Sequence, residues 1–382
     1  MKPRWENYIL NTDDQFDEFW KNYYDKESRD TLFIIGIGFD PRSIKATETI
    51  SNLPSKGKKD IIGLRYFANE NENAKNFTPN EVQINVDKLN VLAQNKKVNN
   101  ISFRGIIMRS PDDKHIADIN TIGLFSTIDE FEKYRDVIVD ISAMPRGIFI
   151  PLLNKILSLL DGFNNAERHI NLHVVVTENA ALDSKIQDLG SADEATFIQG
   201  FSIMGQALTQ DHKRVWIPML GESQTKQFDT IQRSIEPVET CVILPFPSKD
   251  LKRGDLILDE YQKLLYSDEE FEPKNIIYVN ESNPFHVYRM LSQTIARYQQ
   301  SFSLLNGCKI IISALSSKIL SLGAFMAVYE AKRADDGRQN IGIKQVESMS
   351  HKIEDKAVKE VDELLTKNTS IHIWLAGSPY IE

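Results

Sequence analysis

The residues with chemistry to offer lie in short polar turns, each following an apolar run. The first is Gly36-Ile37-Gly38-Phe39-Asp40-Pro41-Arg42. Gly36 and Gly38 let a backbone approach a ligand closely, and Arg42 carries a planar fork that matches phosphate. Asp40 holds the position of an N-cap for a helix opening on Pro41. The string begins like a dinucleotide fingerprint, but Pro41 stands where the third glycine belongs, so a standard NAD site is not expected and no cofactor is assigned.

The second turn is Asp140-Ile141-Ser142-Ala143-Met144-Pro145-Arg146-Gly147. Asp140 ends an otherwise apolar strand, and a buried carboxylate needs a partner or a hydrogen-bond network. Ser142 and Arg146 follow within reach of anything bound at the strand end; the competing reading is an Asp140–Arg146 ion pair that only braces the turn. A third turn holds Ser313, Ser316, Ser317 and Lys318. Its hydroxyls cap a helix or hydrogen-bond an anion, and its lysine adds a point charge. Glu178 with Asn179, and Asn280 with Glu281, end two more strands and are candidate readers of ribose hydroxyls or base edges. If the protein is an enzyme, Asp140 or Glu178 is the candidate general base or nucleophile.

Other chemistries are excluded. Cys241 and Cys308 are the only two cysteines, and both sit in or beside apolar runs, as expected of reduced, buried thiols. The seven histidines are scattered, and His169 and His173, four apart in a strand, stand roughly 13 Å from one another, too far to share a metal. There is no P-loop, H-E-x-x-H, EF-hand loop or G-x-S-x-G. A balance of 45 Lys+Arg against 54 Asp+Glu, net −9, argues against sequence-independent coating of DNA. No run of 18 apolar residues marks a membrane span and the first residues do not read as a signal peptide, so the cytoplasm is the expected compartment.

Positioning these turns requires strands that end beside helix N-termini. Residues 32–37, 61–67, 101–107, 136–141 and 171–177 read as strands, and the alternation at 81–86 suggests another. An aromatic stripe over 14–24 predicts an amphipathic helix, and 148–160 an apolar one. A strand at 195–199 closes the first half. After a polar stretch at 205–216 the grammar repeats: strands at 240–244, 275–279, 309–313, 341–346 and 370–375, with helices between them and a charged helix over 352–365. Residues 216–222 read as an ordered crossover. The expectation is therefore α/β, with two Rossmann-like parallel-sheet halves in tandem, 1–210 and 211–382. Residues 136–160 correspond to 309–330, and 173–179 to 372–378, which suggests an internal duplication.

The turns 140–147 and 313–318, each between an apolar strand and a helix rich in small residues, resemble the ligand loops of CARF-type Rossmannoid domains, and two such units resemble the fused pair of SAVED-type sensors. Met144-Pro145-Arg146 and Ser316-Ser317-Lys318 stand where the family carries a glycine-rich threonine–lysine loop. The resemblance implies a sensor of nucleotide signals in prokaryotic antiphage defence. The expected activity is binding of a nucleotide-like anion between the halves, with Arg42, Arg146 and Lys318 neutralising phosphate. The alternatives are a nucleotide-processing hydrolase or glycosyl-transferring enzyme, and a partner protein for a neighbour from the same operon that uses Trp5, Trp20 and Trp216 in its interface.

Overall fold

The computed structural model describes the chain except residues 1–2, 76–77, 180–181, 183–184, 189, 204–212, 267–270, 335–339, 349–350, 354–364, 366–367 and 382. It divides into two compact units. The N-unit is Asn7–Leu189 with Ser350–Glu382, and the C-unit is Met1–Glu6 with Gly190–Met349.

The N-unit contains β1 (Leu10–Thr12), α1 (Asp14–Lys26), β2 (Thr31–Ile37), α2 (Lys45–Asn52), β3 (Lys59–Phe67), α3 (Glu70–Ala74), α4 (Asn80–Gln94), β4 (Asn100–Ile107), α5 (Ala117–Ile122), β5 (Asp136–Asp140), α6 (Arg146–Asp161), β6 (Asn171–Glu178) and β7 (Ile186–Asp188). The C-unit contains β8 (Ser191–Phe197), β9 (Lys213–Met219), α7 (Thr225–Ile235), β10 (Glu239–Thr240), β11 (Val242–Pro245), α8 (Arg253–Leu265), β12 (Ile276–Val279), α9 (Pro284–Ser301), β13 (Cys308–Ala314), α10 (Lys318–Ala334) and β14 (Ile341–Ser348). The chain then returns to the N-unit for β15 (His351–Ile353) and β16 (Thr369–Ala376).

Both main sheets follow one plan. The N-unit order is β1-β16-β6-β5-β2-β3-β4, and the C-unit order is β12-β11-β9-β13-β14-β8. Numbered by their place in the chain, the five parallel strands of each lie 3-2-1-4-5, and an antiparallel strand (β16 or β8) closes the fifth. The chain fills one side of the first strand, then crosses to the other, which is the doubly wound α/β architecture. The central strands are mostly apolar because both faces are covered; β2 and β13 are buried at every position. In β2, Phe33, Ile35 and Ile37 join the aromatic stripe of α1 and the apolar sides of α2 and α4 in one core. Leu32 and Ile34, pointing to the other face by the period of two, are buried as well.

Several expectations change. Residues 81–86 belong to α4, not a strand: Val82 and Val86 pack on the core, and Leu89 continues their helical spacing. Residues 216–222 are not a crossover. Their first part lies in β9, the innermost C-unit strand, paired along its length with β13. Residues 195–199 do not close the first half, because β8 pairs with β14 in the C-unit. The last strand, read as part of the second half, pairs with β6, so 173–179 and 372–378 are neighbours in one sheet rather than counterparts in two. The chain passes between the units at 6/7, 189/190 and 349/350, with β8 falling to the C-unit sheet and β16 returning to the N-unit sheet; residue 210, the expected boundary, lies outside the described residues. Most of the charged helix expected over 352–365 also lies outside them, and 351–353 form β15. The paired segments 136–160 and 309–330 do hold the same fourth place in the two sheets. Trp5, Trp20 and Trp216 are all buried, which removes them from an interface. No described helix is long and apolar enough to cross a membrane.

Candidate functional site

In a doubly wound sheet the turns after the first and fourth strands diverge to opposite faces and leave a crevice between them. In the N-unit these are the turns after β2 and β5, the 36–42 and 140–147 segments. They meet closely: a Cβ on Gly36 would overlap the Tyr66 Oη and come 2.8 Å from Met144 Cγ. The missing side chain of Gly36 thus makes room for Tyr66 and Met144. Gly38 is different, since a Cβ there would meet nothing nearer than 3.9 Å.

Asp40 and Arg42 serve each other. The Asp40 carboxylate accepts the Arg42 backbone N–H at 2.9 Å, Nε at 3.0 Å and the outer guanidinium nitrogen at 2.7 Å. Both side chains are buried. The expected cap at Asp40 exists, over a 3-10 turn spanning Pro41–Ile44. Arg42, however, lies inward on its own carboxylate and is not presented as a phosphate clamp. Asn85, which sequence reasoning missed, donates from α4 to the carbonyls of Gly38 at 2.8 Å and Asp40 at 3.1 Å and pins the turn.

Asp140 is 1% exposed. One of its oxygens accepts the Ser142 backbone N–H at 3.0 Å and the Ser142 hydroxyl, and the other accepts the Thr47 hydroxyl at 3.3 Å. The Ser142 Oγ in turn accepts the Thr177 N–H at 2.8 Å. Asp140 and Ser142 therefore tie the ends of β5 and β6 to α2. Arg146 is the half-buried first residue of α6. Three hydroxyls around these turns, on Ser43, Tyr66 and Thr177, are buried without a hydrogen-bond partner among the described residues. Burial, reinforced by the charge of Asp140, pushes the Tyr66 phenol well above its usual range. Asn179 caps the next turn, accepting the Leu182 N–H at 2.9 Å and donating to Asn368 Oδ1 at 2.7 Å, while Glu178 ends β6 at the sheet rim.

The C-unit has its own crevice, after β9 and β13. A Cβ on Gly221 would lie 2.5 Å from the Leu315 carbonyl and 2.9 Å from Ser316 Cα, so these turns also touch. Ser313 is fully buried and accepts the Trp216 indole N–H at 3.0 Å, so its hydroxyl stabilises the core. Ser317 Oγ accepts the Leu320 N–H at 3.3 Å, a helix cap. Ser316 is nearly buried beside it, and Lys318 is the half-buried first residue of α10.

The outer turns of this rim hold a carboxylate–arginine–carboxylate bridge. Arg253 donates to Glu222 at 2.6 and 2.9 Å and to Glu281 at 2.7 Å. Glu281 also accepts the Lys249 N–H at 2.6 Å. The guanidinium holds Glu222 below the usual carboxylate range against the opposing effect of burial. Asn280 turns back on its own loop, accepting the Ser282 N–H at 2.9 Å. Glu281 and Asn280 thus brace the rim. Glu222 could not have been paired with Arg253 from a linear sequence, since 31 positions separate them.

Among the described residues no group of three or more His, Cys, Asp or Glu side chains could hold a metal ion. Cys241 and Cys308 are buried free thiols, each pushed up to about 11 by burial.

No protein-family model matches this chain. No curated protein matches it either. Among solved structures it is similar to UDP-GlcNAc 2-epimerase from Neisseria meningitidis bound to UDP-GlcNAc, at 12% identity over 89% of this chain and 100% of that one, with a TM-score of 0.21. A second UDP-N-acetylglucosamine 2-epimerase is 10% identical over 89% of this chain and 96% of that one, with a TM-score of 0.17. Overlaps this slight carry no argument about chemistry.

Proposed function

We propose that the protein binds a nucleotide-like anion at the N-unit crevice and acts as a sensor or scaffold. The observation that carries this reading is the reversal of strand order between β2 and β5, which brings the 36–42 turn against the 140–147 turn. There the start of α6 offers a positive helix end, which favours phosphate, although the Ile148 and Phe149 N–H groups already donate to the Pro145 carbonyl. Gly38 leaves room for an approaching group, and Arg146 supplies charge from the helix start. The buried hydroxyls of Ser43, Tyr66 and Thr177 are polar groups that a bound ligand or water would satisfy after a small local movement. In the C-unit, Lys318 with Ser316 at the start of α10 forms the corresponding position. A sensor of the CARF or SAVED type, serving antiphage defence beside a protein partner from the same operon, remains part of this proposal. An enzyme using Asp140 is less well supported, because hydrogen bonds from Ser142 and Thr47 already engage both of its oxygens.

The test is a thermal-shift screen of mononucleotides, dinucleotides and cyclic oligonucleotides. A ligand present at 100 times its dissociation constant should add about 2.7 kcal/mol to stability. Arg146→Ala should abolish the shift while leaving the unliganded melting temperature within about 2 °C. Absence of any shift across the screen, or a shift that persists undiminished in Arg146→Ala, refutes the proposal.

A further inference from the structure

The N-unit buries a second polar system, away from the crevice, that the proposed function does not use. His173 on β6 and His372 on β16 are both 0% exposed. His173 Nδ1 lies 2.9 Å from His372 Nε2, and His372 Nδ1 lies 2.9 Å from Asn11 Nδ2 on β1. On its other side His173 Nε2 stands 3.5 Å from Asp136 Oδ1 on β5. That oxygen also accepts the Tyr23 hydroxyl at 2.7 Å and the Asn171 amide at 2.8 Å. The chain of contacts therefore crosses β1, β16, β6 and β5 and ends on α1, whose Phe19 and Trp20 rings cover the imidazoles.

One direction of donation satisfies every nitrogen. The Asn11 amide donates to His372 Nδ1, His372 Nε2–H donates to His173 Nδ1, and His173 Nε2–H donates to Asp136. Both rings are then neutral. An added proton on His173 Nδ1 would oppose the His372 N–H, and one on His372 Nδ1 would oppose the Asn11 amide. The closed order thus admits neither proton without rearrangement: His173 would have to part from His372, and Asn11 to turn its carbonyl to the ring. Burial lowers the affinity of both rings for protons, and His173 lowers that of His372 further; Asp136 acts the other way on His173.

The charged and titratable groups facing the pair are Tyr23 from α1, Arg29 from the turn after it, and Asp136 from β5. Arg29 is 3.5 Å from Asp136 and also pairs with Glu27. His169, just before β6, feels the charges of Arg29 and Asp136 at longer range.

We propose that this histidine chain is an acid-sensitive latch. Closed and neutral, it holds α1 and the β1/β16 strand pair on the parallel sheet; opening exposes both rings and takes up two protons. Because each ring binds protons more weakly when closed, the latch is fully stable above the ordinary histidine pKa. It weakens as pH falls below about 6.5.

Hydrogen exchange of the full-length protein, read by mass spectrometry between pH 7.5 and 5 and corrected for intrinsic rates, tests this. Peptides covering 10–26 and 369–376 should open with roughly a 100-fold rise per pH unit below 6.5, as two protons require, while peptides from α6 should not. His372→Gln should reduce that dependence to about 10-fold per unit. Equal pH dependence in α6, or an undiminished two-proton slope in His372→Gln, overturns the latch. Should the variant fail to fold, imidazole ¹⁵N NMR of the wild type decides. Two Nε2–H rings that do not titrate while α1 stays ordered support it, and a ring titrating near 6.5 with α1 in place overturns it.

Discussion

Replacing Asp140 separates bracing from chemistry. The carboxylate accepts three hydrogen bonds, from the Ser142 N–H, the Ser142 hydroxyl and the Thr47 hydroxyl, in a site that is 1% exposed. Asp140→Ala leaves the Ser142 N–H without its acceptor and both hydroxyls short of one. Each orphaned buried group costs about 1–3 kcal/mol, partly offset because a buried charge has also been removed. A net loss of about 2–5 kcal/mol follows, or a fall of roughly 5–15 °C in the N-unit's melting temperature. Asp140→Asn should behave differently. Its carbonyl oxygen keeps both Ser142 bonds, and its amide can donate to the Thr47 oxygen, so the expected loss is below about 1 kcal/mol. Urea unfolding followed by tryptophan fluorescence, supported by calorimetry, measures both. If Asn proves as damaging as Ala, the charge itself matters and the bracing account is wrong. If both variants keep wild-type stability but lose a measured turnover, Asp140 belongs to a reaction.

Two further predictions concern packing and protonation. Gly323 lets α9 and α10 approach, since a Cβ there would lie 2.5 Å from the Pro284 carbonyl and 2.5 Å from Val287 Cβ. Gly323→Ala should therefore destabilise by about 1–3 kcal/mol in chemical denaturation, despite the better helix propensity of alanine; a stabilised variant would contradict the close approach. Lys59 is buried, with its ammonium donating to the carbonyls of Ile50, Ser51 and Leu53 at 3.2, 3.1 and 2.7 Å. Burial, assisted by the charge of Lys97, lowers its pKa to about 8. The unfolded chain then holds more protons than the folded one between about pH 8 and the ordinary lysine range, so wild-type stability should rise there relative to Lys59→Met. Parallel pH profiles of the two proteins in denaturant titrations would expose the error.

The doubly wound plan was legible because apolar runs broken by glycine, serine and asparagine turns report buried parallel strands directly. The crevice-forming turns were found for the same reason. The roles within them were not. Arg42 and Asp40 are two residues apart, yet nothing in their order says that the guanidinium folds inward instead of out. Ser313 looked like an anion donor until its partner proved to be Trp216, 97 positions away. The paired histidines were invisible because strand register, not spacing, places His173 beside His372. Residues 81–86 misled because Val82, Ile84 and Val86 alternate like a strand, while Val82 and Val86 also satisfy the turn of a helix.

The return of β16 to the N-unit has a consequence for synthesis. β6 is a buried, valine-rich strand whose outer edge is paired, among the described residues, by β16. On a ribosome, roughly 190 residues must be added after β6 before that cover emerges, which at 5–20 residues per second means about 10–40 s. During that time the nascent chain presents an apolar strand edge, the kind of surface on which aggregation begins. A fragment truncated after residue 189 would carry the same uncovered edge permanently, so solubility of the separated N-terminal segment should depend on supplying residues 369–376 in trans.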